Sequence, residues 1–365
     1  MTDLSFSVER RPDPVSDERR AEILANPGFG LHFTDHMVSA TWTKDGGWHD
    51  GRVTPYGPIQ LMPSAAVLHY AQEIFEGMKA YRHEDGSVWT FRPEANAARM
   101  ARSARRLALP ELSEADFIGS LKALLEVDKA WVPPADGGEA SLYLRPFMYA
   151  SEAFLGVRPA NEVTYSVIAS PAGPYFAGGL KPVTLWISQD YARAGAGGTG
   201  NAKCGGNYAS SLAGQLEGIE NGCDQAVFLD SATHENIEEL GGMNLFFLTK
   251  GGELVTPELS GSILEGITRS SILELAKDLD LTPVERTVPI QEWKDGVASG
   301  DIVEIFACGT AAVVTPVGEL RWQGGTAPGV GGPEGGEVTR TIRSRLLDIQ
   351  YGRAEDTRGW LTQLA

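Results

Sequence analysis

The chain has 365 residues, 42% of them hydrophobic and 22% charged. That balance allows a buried core and excludes disorder throughout. Asp and Glu outnumber Lys and Arg by 48 to 31, a net charge of −17, and so acidic a surface repels phosphate backbones and anionic lipid, which speaks against nucleic-acid and membrane partners.

Residues 1–30 read as an irregular arm, since Pro12, Pro14 and Pro27 break any helix. No signal-peptide pattern opens the chain, and no apolar run approaches the ~18 residues of a membrane span. Residues 37–43 have strand composition, with a turn at Gly46-Gly47, and a short helix is expected near 64–74. Residues 78–91 form a hairpin in which Asp85-Gly86 predicts a tight primed turn. Pro93 opens a basic helix to about Leu107. Ser113 caps the next helix, with Phe117, Leu121, Leu124 and Leu125 on one face. Strong strands follow at 140–150 and 162–170, and the breakers of PAGPYFAGG mark a linker at 173–180.

Beyond the linker, PVTLWIS is a strand, and residues 207–222 form a helix with Leu212, Leu216 and Ile219 expected inward. Short strands cover 223–230, 236–240, 243–249 and 252–257, then a helix begins near Thr268 and residues 301–307 form another strand. The tract 324–336 is expected to be a loop, and the last helix keeps Val338, Ile342, Leu346 and Ile349 on one side. Strands and helices do not alternate strictly, so the expected class is α+β with mostly antiparallel pairing. The expected division is an arm at 1–30, a small domain at 31–172, the linker, and a large domain at 181–365. Cys204, Cys223 and Cys308 form no CxxC pair, which predicts reduced thiols and a cytoplasmic protein.

Lys203 stands in GTGNAKCGGNYASSL, between glycine-rich turns and just before a helix, with no carboxylate in the segment. Desolvation without a counter-anion lowers an ammonium pKa, as a Schiff-base lysine requires, although spacing alone favours a surface lysine. The G-x-x-x-x-G-K spacing of a phosphate-binding loop fails here. His32 and His36 are four apart, but no H-E-x-x-H pattern surrounds them and Pro27-Gly28 disfavours a helix, so no metal site is expected. Tyr143 and Arg145 lie two apart in SLYLRPF and share one strand face, suited either to a carboxylate ligand or to an ion pair with a local acid.

The string KCGGNYASS, followed by NIEELGGMNLFF and ELSGSILEGITR, resembles the branched-chain aminotransferases, pyridoxal 5′-phosphate (PLP) enzymes of fold type IV. FGLHFTDHM, LHYAQEIFEGMKAYR, FRPEANAARMARSARRLALPEL, SLYLRPF, GPYFAGG, NGCDQAVFLD and FACGTAAVVTPV extend the match in order from Phe29 to Gly352. The resemblance implies a smaller N-terminal α/β domain, a larger C-terminal pseudo-barrel domain that binds PLP, and a homodimer. It gives Lys203 the Schiff-base and proton-carrying role, and Glu239 the pyridine nitrogen. Glu238 is the neighbouring candidate, and only one of two successive strand residues reaches the ring. Tyr208 is implied to meet the cofactor O3′. Ile267 and Thr268 at a helix start, Thr310 and Arg99 are implied to hold the phosphate. Arg102, Arg105 and Arg106 compete with Arg99 for that role.

For substrate, the resemblance implies that Tyr143 and Arg145 accept the second carboxylate of 2-oxoglutarate or glutamate. Phe29, Tyr70, Phe75 and Tyr175 would wall the branched side chain, and Gly242, Ala311 and Ala312 would present amides to the α-carboxylate. Leu155 and Val157, in SEAFLGVRPA, would reach the partner's substrate. The animal members carry a redox-sensitive CxxC at positions that here hold Ala312 and Thr315, so no such thiol switch is expected. The implied reaction is reversible transfer of the amino group of leucine, isoleucine or valine to 2-oxoglutarate. Other fold-type IV enzymes, and a non-catalytic protein that keeps the fold, are the alternatives.

Overall fold

The computed structural model describes residues 4–136, 138–174, 180–332 and 334–365. In chain order the elements begin with β1 (Ser7–Val8), α1 (Asp17–Ala25), β2 (His36–Thr43), β3 (Gly47–Pro55), α2 (Ala66–Tyr70), β4 (Glu73–Phe75), β5 (Met78–Arg82) and β6 (Val88–Phe91). They continue with α3 (Pro93–Arg106), α4 (Glu114–Asp128), β7 (Ser141–Ala150), β8 (Glu162–Ala172), β9 (Val183–Ser188), α5 (Gly205–Glu220), β10 (Gln225–Leu229) and β11 (Ile237–Leu240). The remainder is β12 (Asn244–Thr249), β13 (Glu253–Pro257), α6 (Ile267–Lys277), β14 (Thr282–Arg286), α7 (Ile290–Ser299), β15 (Ile302–Gly309), β16 (Val313–Trp322), β17 (Gly325–Pro328), α8 (Glu337–Gln350) and β18 (Leu361–Gln363).

Two compact units form. The first holds Met1–Tyr175, Ala202–Gly205 and Asp348–Ala365, and the second Phe176–Asn201 and Gly206–Leu347. This division departs from the one expected. The arm packs with the first unit, the Lys203 segment joins that unit, and residues 348–365 return to it. The return is made by β18, which pairs antiparallel with β6.

The first unit's sheet runs β1-β3-β2-β8-β7-β5-β6-β18, with β4 on β7, and its pairings are antiparallel except β1 with β3. The Ser113 hydroxyl accepts the Asp116 N–H at 3.0 Å and starts α4 as expected. Phe117, Leu121, Leu124 and Leu125 are buried in one core with Val38, Leu144 and Val167. The expected helix at 64–74 is shorter. It stops at Tyr70 because Ala71 turns left-handed (φ 47°), and β4 follows. The hairpin between β5 and β6 is not the two-residue primed turn. Gly86 alone has positive φ (85°), His83 bonds Ser87, and the Asp85 carboxylate takes the Ser87 N–H.

The second unit's sheet runs β11-β10-β9-β16-β15-β12-β13-β14, with β17 on β16. β11, at one end of this order, also contacts β12 and β13 near the other, so the sheet curls back on itself in the manner of a pseudo-barrel. Pairings of β9 with β10 and β16, and of β13 with β14, are parallel. The tract expected to be a loop supplies β17. In α8, Ile342, Leu346 and Ile349 are buried and Val338 partly so.

The sequence expectation fails on α5. Leu212, Leu216 and Ile219 are 64%, 56% and 57% exposed, and the buried face is Asn207, Ser211, Gly214 and Gly218. The physical reason is close approach: a Cβ on Gly214 would sit 2.9 Å from the Phe228 ring, and one on Gly218 would sit 3.3 Å from Trp186. Small residues let the helix backbone lie on the sheet and turn the larger side chains outward. Among the described residues, no helix is long and apolar enough to cross a membrane.

Candidate active site

In the first unit, the short segment 202–205 is laced to two elements. The Phe75 N–H at the end of β4 donates to the Lys203 carbonyl at 2.9 Å. Ser103, on α3, accepts the Lys203 N–H on its hydroxyl at 2.9 Å. One residue on from Cys204, the Gly205 N–H that begins α5 donates to Glu73 at 2.5 Å. Burial raises the Glu73 carboxyl pKa against the pull of that amide and of Arg145.

The Lys203 amine lies 4.7 Å from the centre of the Phe75 ring, and the Arg145 guanidinium lies 4.8 Å from it. Tyr143 and Arg145 share a face of β7, as period two requires, while Leu142 and Leu144 are buried on the other. Arg145 Nη2 donates to the Tyr143 hydroxyl at 3.2 Å, and Phe29 meets the Tyr143 ring edge-on at 5.1 Å. The Tyr143 hydroxyl abuts Gly77, where any Cβ would collide with it. Arg145 Nε is buried without a hydrogen-bond partner among the described residues, and none of the ion pairs found there includes Arg145. The reading of Arg145 as half of a local ion pair is therefore not met.

Of the four arginines on α3 weighed from the sequence, Arg99 is buried, and it alone of the four is. Its fork closes on Glu76, with Nε to Oε1 at 2.8 Å and Nη2 to Oε2 at 2.7 Å. Asn96 Nδ2 adds a third donor at 2.7 Å. Burial pushes the Glu76 carboxyl up, but Arg99, Lys203 and Asn96 outweigh it and leave the pKa below the usual value. Lys203 is lowered to about 8, by burial first and then by the Arg99 charge, with Glu76 and Tyr143 opposing. An amine so placed has an accessible neutral form at physiological pH, which a nucleophile or general base needs.

In the second unit, the two neighbouring glutamates of β11 take different partners. Glu239 Oε1 accepts the Leu264 N–H at 2.8 Å and pairs with Arg193 Nη1 at 2.9 Å, both side chains being almost fully buried. Arg193 also donates to the Ser262 carbonyl at 3.0 Å, and its charge stands 6.0 Å from the Tyr208 ring centre. Tyr208 lies beside Gly242, where an added Cβ would reach it at 3.9 Å. Glu238 instead accepts the Ser262 hydroxyl, and its Oε2 is buried without a hydrogen-bond partner among the described residues. Burial raises its pKa, with the Ser262 hydroxyl and Arg193 opposing.

Helix α6 starts at Ile267 behind Gly266, which puts no side-chain oxygen on the first-turn amides. A helix end of that kind suits a dianion. Thr268 is buried in its first turn. Thr310, Ala311 and Ala312 form the turn from β15 to β16, and Arg343 holds that turn through the Ala312 carbonyl at 2.9 Å. The buried Cys308 thiol is pushed up to about 12, so it is inert as a thiolate.

Thus Phe29, Phe75, Arg99, Tyr143, Arg145 and Lys203 belong to the first unit, while Tyr208, Glu239, Gly242, Ile267, Thr268, Thr310, Ala311 and Ala312 belong to the second. Tyr70 bonds the Leu155 carbonyl through its hydroxyl, and Leu155 and Val157 are exposed. Tyr175 lies outside the described residues. His36, weighed as a metal ligand, sits on β2 with Nδ1 on Asp128 at 2.7 Å and Nε2 accepting the Arg11 N–H at 2.8 Å. A proline-rich groove lined by Leu24, Pro27, Pro133, Pro134 and Pro174 contains none of the candidate residues.

Sequence reasoning missed Glu76 and Arg193. The signal for Glu76 was an acid set between apolar strand residues in EIFEGMKAY, which needs a buried cation. Arg193 was a lone cation in a run of Ala and Gly.

The family model for amino-transferase class IV matches residues 73–320. The branched-chain-amino-acid aminotransferase of Mycolicibacterium smegmatis is 57% identical over 99% of this chain and 98% of its own length. A probable enzyme of the same name from Streptomyces coelicolor is 55% identical over the full length of both chains. The T.th. branched-chain amino acid aminotransferase, solved with pyridoxamine 5′-phosphate, superposes with a TM-score of 0.73 at 28% identity, covering 90% of this chain and 99% of that one. The same enzyme complexed with N-(5′-phosphopyridoxyl)-L-glutamate gives 0.72 at 28% identity, with the same coverage.

Proposed function

We propose, for a chain that belongs to the class IV amino-transferase family and within it to the PLP-dependent branched-chain-amino-acid aminotransferases, that it transfers the amino group of leucine, isoleucine or valine to 2-oxoglutarate. The observation that carries this reading is the Lys203 amine, lowered to about 8 and set among Phe75, Arg99, Tyr143 and Arg145. The L-glutamate conjugate bound by the T.th. enzyme supports glutamate as the product of the acceptor half.

Each unit carries groups that suit PLP: the first an amine with an accessible neutral form, the second a buried carboxylate, a tyrosine and a helix N-terminus. When bound, the pyridoxal ring supplies the electron sink that loosens the substrate Cα–H bond. Lys203 would hold the cofactor through its amine and would supply the base that takes the proton from the substrate Cα. Glu239, paired with Arg193, would hold the proton on the pyridine nitrogen, and Tyr208 would donate to O3′. Ile267, Thr268, Thr310 and Arg99 bind the phosphate.

Tyr143 and Arg145 take the distal carboxylate of 2-oxoglutarate, a task suited to an always-charged planar group. Phe29, Tyr70, Phe75 and Tyr175 wall the branched side chain. Gly242, Ala311 and Ala312 orient the α-carboxylate, where small residues keep amides accessible. The enzyme works in the cytoplasm as a homodimer, with the exposed Leu155 and Val157 serving the partner's substrate. A pocket with a one-methylene tolerance discriminates among the three branched donors by only about 1–3 kcal/mol.

A coupled transamination assay with 2-oxoglutarate and a panel of L- and D-amino donors tests this. Branched L-donors should dominate, and Lys203→Ala should lose both the yellow colour and turnover. Activity on D-alanine alone, or a colourless wild-type protein that takes up no PLP, would overturn the reading.

A further inference from the structure

Two main-chain bonds place the Lys203 residue against one corner of the first unit. Its carbonyl accepts from Phe75, the residue before Glu76. Its N–H donates to Ser103, one helical turn after Arg99 on the same face of α3. The geometry therefore brings Glu76 and Arg99 to the lysine from two separate elements, and the two close on each other through a bidentate fork. The charged and titratable groups facing Lys203 are Arg99 from α3, Tyr143 and Arg145 from β7, and Glu76 after β4. Glu73 on β4 holds the adjoining Gly205 amide.

We propose that Glu76 is a positioning residue for Lys203: its carboxylate clamps the Arg99 fork in place and supplies the anionic counter-charge against which the lysine amine works. Glu76 carries no exposed surface and acts on the lysine through its field and through Arg99. Its remaining bonds, from Asn96 Nδ2 and the Gly77 amide, fix the carboxylate plane. With Glu76 neutral, a buried arginine would stand uncompensated beside the amine, which would release its proton more readily. With both charges gone, the amine would hold its proton more tightly than in the parent chain, because Arg99 is the larger of the two influences. A bracing role alone would predict neither direction.

The inference rests on Lys203 being the reactive amine, but the test reads that amine directly in the full chain freed of cofactor. Loss of the proposed activity and failure here are therefore separate outcomes. Lys203 is labelled with an amine-reactive acylating probe across pH, and the extent at that residue is read by peptide mass spectrometry. Glu76→Gln should lower the labelling midpoint by at least about half a pH unit, near threefold more label at a pH below both midpoints. Glu76→Asp should restore it, and Glu76→Gln with Arg99→Gln should raise it above the parent. Should Glu76→Gln fail to fold, the double variant carries the test, since removal of both partners of a buried pair is tolerated better than removal of one. An unchanged midpoint in the folded single variant, or a double variant that does not rise, would overturn the proposal.

Discussion

Replacing Arg193 by Leu should damage the second unit more than any exposed charge deletion could. Arg193 is 2% exposed and makes its side-chain bonds through Nη1: 2.9 Å to Glu239, 3.0 Å to the Ser262 carbonyl and 3.4 Å to the Gly200 carbonyl. Its Nε is buried without a hydrogen-bond partner among the described residues, so the guanidinium is not fully satisfied and the net worth of the pair is less than its contacts suggest. Removing the cation alone leaves a buried carboxylate supported by the Leu264 amide, which costs about 3–5 kcal/mol. Glu239→Gln should cost less, about 2 kcal/mol, because the amide oxygen still accepts from Leu264 and Arg193. The double variant Arg193→Leu, Glu239→Gln should cost less than the sum of these two singles, with a coupling of about 1–2 kcal/mol. Because a chain of two units need not unfold in one step, the measurement is urea-dependent hydrogen exchange on peptides of β9 and β11. Additive single costs, with coupling below about 0.5 kcal/mol, would refute the reasoning: the pair would then be two independent neighbours.

Two further outcomes follow from the first unit. Arg145→Ala should slow the 2-oxoglutarate half-reaction by far more than the leucine half, read in single-turnover absorbance; equal losses would remove Arg145 from the distal-carboxylate role. Lys203 titrates at about 8 in the folded chain against 10.5 ordinarily. Between those values the unfolded chain keeps a proton that the folded chain has released, so this group makes stability rise with pH across the window, and the gain is lost as pH falls through about 8. Urea unfolding of the cofactor-free chain should show that rise, and Lys203→Met should flatten it; a fall with pH in the parent relative to the variant would contradict the sign.

Much of this molecule is legible from local pattern. The Ser113 cap, the apolar face of α4 and the shared face of Tyr143 and Arg145 follow from periods of 3.6 and 2 that need no partner. The segment around Lys203 carries its own signal in glycines and a following helix. Choosing Arg99 among four arginines needed the family motif; on α3 Arg99 is the buried one of the four.

Other features could be decided only by the fold. Period analysis weighs large apolar residues, so it turned the Leu212, Leu216 and Ile219 face of α5 inward. Close backbone approach at Gly214 and Gly218 reversed it, because a helix lies nearest the sheet where it has least side chain. Nor does a sequence say which acid will be buried against which base. Glu76 with Arg99, and Glu239 with Arg193, are separated along the chain by 23 and 46 residues, and each pair exists because two segments distant in sequence bring opposite charges out of water together. Charge tolerates burial only where its partner is already in place, a condition that three-dimensional packing satisfies and a linear pattern does not record.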